Sequence, residues 1–219
     1  MKTKNEIFNL IPKLINELNE RLIERDELTR LMVLSIFSGN HMFLIGERGV
    51  AKSMTVELIN DVIEETKFWQ LQVGEDTKVE ELFGEKKSDK EGAIQYTSKS
   101  SVLHSHFVVL DEMFKARGEV LNAMLELLVD GAYTSGDGNK RKTPLISAFG
   151  TSNEFPTETK MLPYVDRFLF WYEVERITSL ENRKKYYAGD FNKNKITEKY
   201  FALDDLAVVK EESKNITIP

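Results

Sequence analysis

Two groups of residues in this chain have the types and spacing for phosphoryl chemistry. The first is the octapeptide Gly46-Glu47-Arg48-Gly49-Val50-Ala51-Lys52-Ser53. A tight loop of this kind, leading from a strand into a helix, converges backbone N–H groups on phosphates. Its lysine reaches the β and γ oxygens, and its hydroxyl serves a Mg²⁺ ion. Lys52 and Ser53 suit those two tasks, while Gly46, Glu47, Arg48, Gly49, Val50, Ala51 and the following Met54 would form the cradle. Every fixed position of the phosphate-binding P-loop is kept except Ala51, where glycine is usual. Alanine penalises positive φ, so this position must sit at negative φ. For the octapeptide alone, a glycine-containing turn with an exposed lysine and serine stays open as an alternative.

The second group lies downstream, where His106-Phe107-Val108-Val109-Leu110 runs into Asp111-Glu112. An apolar strand ending in two acids presents both at its C-terminal edge, where open α/β sheets bind ligands. Asp111 would hold Mg²⁺ through its water shell, and Glu112 would orient and polarise an attacking water. An acidic pair after a strand also serves as a plain loop start, but its place after the P-loop favours the chemical reading. A third apolar run, Ser147-Ala148-Phe149, leads through Gly150-Thr151-Ser152 to Asn153, whose neutral amide can hydrogen-bond both a γ-phosphate and water. Asn153 could equally be a turn residue. Finally, Arg167 in Tyr164-Val165-Asp166-Arg167-Phe168 is either a surface ion-pair partner or a finger stabilising charge on a transferred phosphoryl group in a neighbouring subunit.

These groups need strands and helices in alternation, and the hydrophobic period supplies them. Apolar residues recur at helical spacing over Ile7 to Ile23, Glu27 to Phe37, Ser53 to Ile63 and Val120 to Val129. Gly39-Asn40 reads as a helix stop. Short continuous apolar runs predict strands at Met42 to Ile45, Phe68 to Val73, His106 to Leu110, Leu145 to Phe149 and Phe168 to Val174. The alternation implies an α/β fold with a mainly parallel sheet. Gly84 to Ser101 and Gly131 to Thr143 read as exposed hairpins or loops.

Composition narrows the function classes. The 219 residues carry 30 Lys+Arg against 36 Asp+Glu, a net charge of -6, which argues against charge-driven binding to nucleic acid or an anionic membrane. With no cysteine, thiolate catalysis and Cys-liganded zinc are excluded. No charge-free stretch follows the first lysines, so no secretory signal is expected, and no apolar run approaches the length of a membrane span. A cytoplasmic protein is the expectation.

The order of P-loop, acidic strand end, Asn-ended strand and Asp-Arg-Phe resembles the AAA+ ATPases, and within them the MoxR branch, most of all its RavA-like members. The likeness runs from about Ile7 to Tyr187. It is carried further by Leu22-Ile23-Glu24-Arg25, the Ala51-Lys52-Ser53 ending, Glu81-Leu82-Phe83-Gly84 and Ser152-Asn153-Glu154 with Pro156. The resemblance implies a P-loop NTPase three-layer sandwich with a five-stranded sheet in the order 5-1-4-3-2. It implies that Leu22 and Ile23 lie near the adenine, that Asn153 is sensor 1 and that Arg167 is the finger. ATP/ADP and Mg²⁺ are the implied cofactors, with Ser53 and Asp111 serving the metal and Lys52, Glu112, Asn153 and Arg167 the reaction. A ring of identical subunits, expected as a hexamer, and a von Willebrand factor A domain protein are the implied partners.

One departure concerns the lid. Members of the family follow the α/β domain with a helical lid carrying a sensor 2 arginine, whereas 52 residues follow Arg167 here. The expectation is an α/β nucleotide-binding domain over residues 1–190 and a tail over 191–219, the start of a lid or linker, with the lid missing or incomplete. The leading functional expectation is an ATPase that remodels or assembles a protein partner. An ATP-dependent oligomeric scaffold with little hydrolysis and a nucleic-acid-remodelling AAA+ enzyme are the alternatives. Among other features, Lys140-Arg141-Lys142 is expected as a solvated loop rather than a pore contact, and Phe83 as core. His104 and His106, two apart, could chelate a metal from one side of a strand, but neither a carboxylate nor a third histidine joins them in that pattern. Trp69 and Trp171 are expected in core or interface.

Overall fold

The computed structural model describes residues 2–47, 52–88, 94–97, 101–135, 138–189, 196, 198–213 and 215. Helix α1 (Lys4–Asn19) starts at a capping box, in which the Thr3 hydroxyl and the Glu6 carboxylate each accept the other's backbone N–H. Its apolar stripe buries Ile7, Leu14 and Leu18. The helix ends before Ile23: the spacing continues to Leu22, which is 3% exposed, but Leu22 is buried from a turn. Periodic burial had extended the predicted helix one turn too far. Helix α2 (Asp26–Ser38) stops at Gly39, whose φ of 65° is the left-handed cap expected of a glycine there.

Five parallel strands form the sheet: β1 (Met42–Ile45), β2 (Phe68–Gln72), β3 (Phe107–Asp111), β4 (Ser147–Ser152) and β5 (Phe170–Glu173). Their spatial order is β2-β3-β4-β1-β5, which is the expected 5-1-4-3-2 read from the other edge. Met42 pairs with Phe149 on one side and Phe170 on the other, placing β1 inside the sheet. The predicted fourth strand is displaced: Leu145 and Ile146 precede β4, and pairing continues to Ser152. Strand identity there is decided by the register with β1 and β3 rather than by hydropathy, because Gly150-Thr151-Ser152 pair although they are not apolar. The fifth strand is likewise shorter than predicted.

Helices cover both faces. Side chains alternate across the sheet, with Met42 and Leu44 facing one core with α1, α2 and α3 (Lys52–Asp61), and Phe43 facing the other. That second core holds Val108, Leu110 and Ala148 with α5 (Gly118–Asp130), the short α4 (Val79–Phe83) and Tyr164 of α6 (Leu162–Val165). Gly150 is required where β4 crosses it, since an added Cβ would lie 2.6 Å from Met113 Sδ and 2.7 Å from Phe43 Cδ2. Phe83 is buried and stacks on Tyr133 at 5.3 Å, as core. Trp69 and Trp171 are partly buried against the same core, and the Trp171 ring lies 4.6 Å from that of Phe43.

Two antiparallel ribbons, Glu85–Ser88 with Ile94–Thr97 and Ala132–Thr134 with Lys140–Lys142, stand where hairpins or loops were expected. In the second, Lys140 is matched by Asp130 at 2.6 Å and Glu126 at 3.7 Å. His104 and His106 do not share a strand: His104 closes a 3₁₀ turn (Val102–His104), and His106 Nδ1 accepts the Lys67 N–H just before β3. After α7 (Leu180–Ala188), α8 (Leu203–Ser213) packs on α2 and α1. Phe201, fully buried, meets Phe37 edge to face at 4.9 Å.

Candidate nucleotide site

Gly46 directly follows β1, with its N–H on the Ser152 carbonyl at 3.1 Å and a φ of 154°. A Cβ here would lie 2.5 Å from the Val174 carbonyl, so the first glycine of the octapeptide is fixed by packing as well as by φ. The Glu47 carboxylate pairs with Arg176. Arg48, Gly49, Val50 and Ala51 lie outside the described residues, as does the side chain of Ser53. Lys52 is the first residue of α3 and only 7% exposed. Its Nζ donates to the Gly46 carbonyl at 2.6 Å and the Ser152 carbonyl at 3.5 Å. A buried ammonium needs such acceptors, and these two hold it at the ends of β1 and β4.

The two acids stand at the end of β3, on the other side of β4. Asp111 closes β3, and its carboxylate accepts the Thr151 hydroxyl from β4. Glu112, 3% exposed, adopts the left-handed conformation with φ 57°, a strained state for a residue with a side chain. Two bonds hold that turn: the Glu112 N–H donates to Thr151 Oγ1 at 3.3 Å, and its carbonyl accepts from the Lys115 N–H at 2.9 Å. The Glu112 carboxylate accepts the Asn153 amide and pairs with the Lys115 ammonium at 3.2 Å. Three consecutive residues at the end of β4 thus join the groups into one network: the Ser152 carbonyl bonds Lys52, Asn153 bonds Glu112 and Thr151 bonds Asp111. A cavity of about 280 Å³ opens beside it, lined by Glu112, Lys115, Asn153, Phe155 and Glu158.

The donors suit a magnesium nucleotide. Asp111 and the Ser53 hydroxyl are hard oxygen ligands of the kind Mg²⁺ takes. Asn153 Oδ1 is buried without a hydrogen-bond partner among the described residues. An orphaned acceptor of this kind in a polar pocket points to water or ligand. Arg167 takes no part in the network: it is exposed and makes no ion pair among the described residues. Leu22 and Ile23 lie in the turn between α1 and α2, Leu22 buried and Ile23 partly so, and Met54 is 38% exposed on α3.

With that geometry, comparison with known proteins is decisive at one level. Residues 9–210 match the family model for the MoxR domain in the MoxR-vWA-beta-propeller ternary systems. The chain belongs to this MoxR domain family. Relatives of the MoxR domain here include the uncharacterized protein MJ0079 of Methanocaldococcus jannaschii, 36% identical over 83% of this chain and 48% of that one. The chaperone MoxR1 of Mycobacterium tuberculosis is 27% identical over 81% of this chain and 47% of its own. The chain therefore spans about half the length of the curated relatives it matches. A solved structure from Cytophaga hutchinsonii, provisionally described as an ATPase, superposes with a TM-score of 0.78 at 21% identity, over 99% of this chain and 67% of that one. That likeness establishes the shared α/β fold.

Three participants of the MoxR domain site escape a reading of motifs. Thr151 lies within β4 and Asn153 just beyond its end, so the short polar run after Phe149 was a signal present in the sequence. Lys115, three residues after Glu112, returns to it through a single 3₁₀ turn (Met113–Lys115). The Glu47–Arg176 pair joins residues far apart in the chain, and no local pattern announces it.

Proposed function

We propose that this MoxR domain is a Mg²⁺-dependent ATPase that works at the subunit interfaces of a ring, taken as a hexamer, and remodels or assembles a protein partner in the cytoplasm. The observation that carries this reading is the convergence of the Lys52 ammonium with the Asp111 and Glu112 carboxylates through Ser152, Asn153 and Thr151 at the C-terminal ends of β1, β3 and β4. The partner is a von Willebrand factor A domain protein, in line with the systems for which the family is described. A chaperone-like role follows from kinship with MoxR1. The Ala51-Lys52-Ser53 ending speaks for the RavA-like branch. Among the described residues no helix is long and apolar enough to cross a membrane.

In this reading the backbone N–H groups of the P-loop and the Lys52 ammonium bind the triphosphate. Ser53 and Asp111 would hold Mg²⁺, which when bound offsets negative charge on the β and γ phosphates. Asp111 accepts the Thr151 hydroxyl on one oxygen, and its other oxygen would serve the metal. Glu112 orients the attacking water, and its carboxylate accepts the proton as the water's oxygen bonds to the γ phosphorus and the bond from that phosphorus to the β–γ bridging oxygen breaks, releasing ADP. Asn153 keeps Glu112 in place and senses the γ-phosphate. Arg167 reaches the site of the neighbouring subunit, which accounts for its exposure here and its separation from the network of its own chain.

The test is steady-state phosphate release by the wild type and Glu112→Gln, with nucleotide affinity measured alongside. The amide keeps the size and one acceptor but cannot take a proton, so turnover falls by about 100-fold or more with ATP binding retained. Equal rates in the two proteins would remove Glu112 from the chemistry and leave the scaffold reading in its place.

A further inference from the structure

The segment that leaves β5 is fastened at four points, to the end of β1, to Glu47 and to the turn between α1 and α2. The Val174 N–H donates to the Ile45 carbonyl at 2.6 Å. Arg25 donates to the Glu175 carbonyl at 2.9 Å, and Arg176 pairs with Glu47. The fourth fastening is Glu24. One of its oxygens accepts the Thr178 N–H at 2.7 Å and the Thr178 hydroxyl at 3.0 Å. The other accepts the Ser179 N–H at 3.0 Å and the Asn182 amide at 2.8 Å. Ser179 is the N-cap of α7, so a single carboxylate from the turn between α1 and α2 grips the start of that helix. Glu24 stands at φ 55°, a conformation a glutamate rarely adopts. The strain has an evident return in the four bonds it directs.

Among the described residues, helix α7 contributes no side chain to either apolar core. Its nine residues include none that is buried, and Leu180 and Tyr187 are 66% and 83% exposed. An isolated helix of this length is marginal in water, so its placement depends on the polar grip at its N-terminus. The gripping turn also carries Leu22 and Ile23, the two residues expected beside the adenine.

We propose that Glu24 is a positioning residue: its carboxylate latches α7 onto the α1–α2 turn and so sets the adenine end of the nucleotide cleft. The inference rests on the nucleotide-site reading above. The latch acts on binding rather than on the chemical step, because the bonds of the Glu24 carboxylate go to Thr178, Ser179 and Asn182 and not to Lys52, Asp111 or Glu112.

The experiment compares wild type, Glu24→Ala and Glu24→Asn, the last keeping a side chain tolerated at positive φ but too short to span the same donors. Amide hydrogen exchange of residues 180–188 is followed without nucleotide, and Kd for ATP is measured together with KM and kcat. Charge-assisted hydrogen bonds of this kind lead us to expect exchange in α7 faster by about tenfold or more, Kd and KM raised by about tenfold, and kcat within about twofold of wild type, in both variants. Exchange in β1 and β3 should be unchanged, which separates loss of the latch from general unfolding. Unaltered exchange in α7 would overturn the latch. Faster exchange with unaltered Kd would overturn its bearing on the nucleotide. If the wild type itself bound no ATP, the site reading and the positioning role would both fall, while the exchange data would still judge the latch.

Discussion

Among single residues, Thr151 carries more than its type suggests. Its hydroxyl donates to Asp111 and accepts the N–H of Glu112, and the residue is fully buried. One side chain therefore fixes the rotamer of the proposed metal carboxylate and the left-handed backbone that aims the proposed base. Valine has nearly the same shape but offers neither bond, leaving a half-buried carboxylate oxygen and a buried N–H without their partner. Thr151→Val should cost about 1–3 kcal/mol in stability, read from the midpoint of denaturant unfolding. Turnover should fall by about tenfold or more with a raised requirement for Mg²⁺, and Thr151→Ser should restore most of both. Serine failing to rescue would show that the methyl group, not the hydroxyl, is what matters. At this scale the sequence was informative where chemistry demands a residue type, as at Lys52, Asp111, Glu112 and Asn153. It was silent on Glu24 and Lys115, whose types are common on any surface and whose roles depend on where the chain folds back.

At the level of elements, apolar period located the helices and strands because burial is what the period records, and it misplaced ends wherever pairing and burial part company. Strand β4 extends through Gly150-Thr151-Ser152 since hydrogen bonding to β1 continues beyond the apolar residues. Helix α1 ends before Leu22 although Leu22 is buried. The strand order was not legible in the period at all, because equally apolar strands can be arranged in many ways; it came from the family resemblance. The segment after α7 is the clearest case of context. Leu203, Leu206, Val208 and Val209 among charges look like a weak amphipathic stretch, yet Phe201 and Leu206 enter the core formed by α1 and α2. Lys2 meets Asp205 at 3.4 Å, and Lys4 pairs with Glu212. The exposed Lys4–Glu212 pair contributes little, whereas Asp205, 3% exposed, also accepts the Ala202 N–H at 2.8 Å; Phe201 supplies the apolar anchor. Phe201→Ala should destabilise the protein by about 3–5 kcal/mol, measured by urea unfolding, with loss of edge-to-face contact to Phe37. A change below about 1 kcal/mol would mean that α8 is a passive appendage.

The ring proposed for the whole molecule rests on what a single subunit lacks. Arg167 stands outside the Lys52–Glu112 network, and it is flanked in sequence by Leu162, 48% exposed, and Leu169, 66% exposed; Phe155 nearby in the chain is 54% exposed. In the ring reading these exposed apolar side chains would seat the neighbour that receives the arginine. If each site takes Lys52 and Glu112 from one subunit and Arg167 from the next, two different defects can complement. Arg167→Ala keeps its own P-loop and Glu112, while Glu112→Gln still offers an arginine. Alone, each variant should turn over ATP at about 1% of wild type or less. Mixed in equal amounts and allowed to exchange subunits, about a quarter of randomly formed interfaces would join an intact P-loop side to an intact arginine side. Turnover should then rise well above that of either parent and depend on total protein concentration as assembly does. An arginine acting on its own chain predicts no recovery, since no subunit in the mixture would hold both groups. Recovery on mixing would thus establish at once that the protein assembles and that its active sites are shared between neighbours.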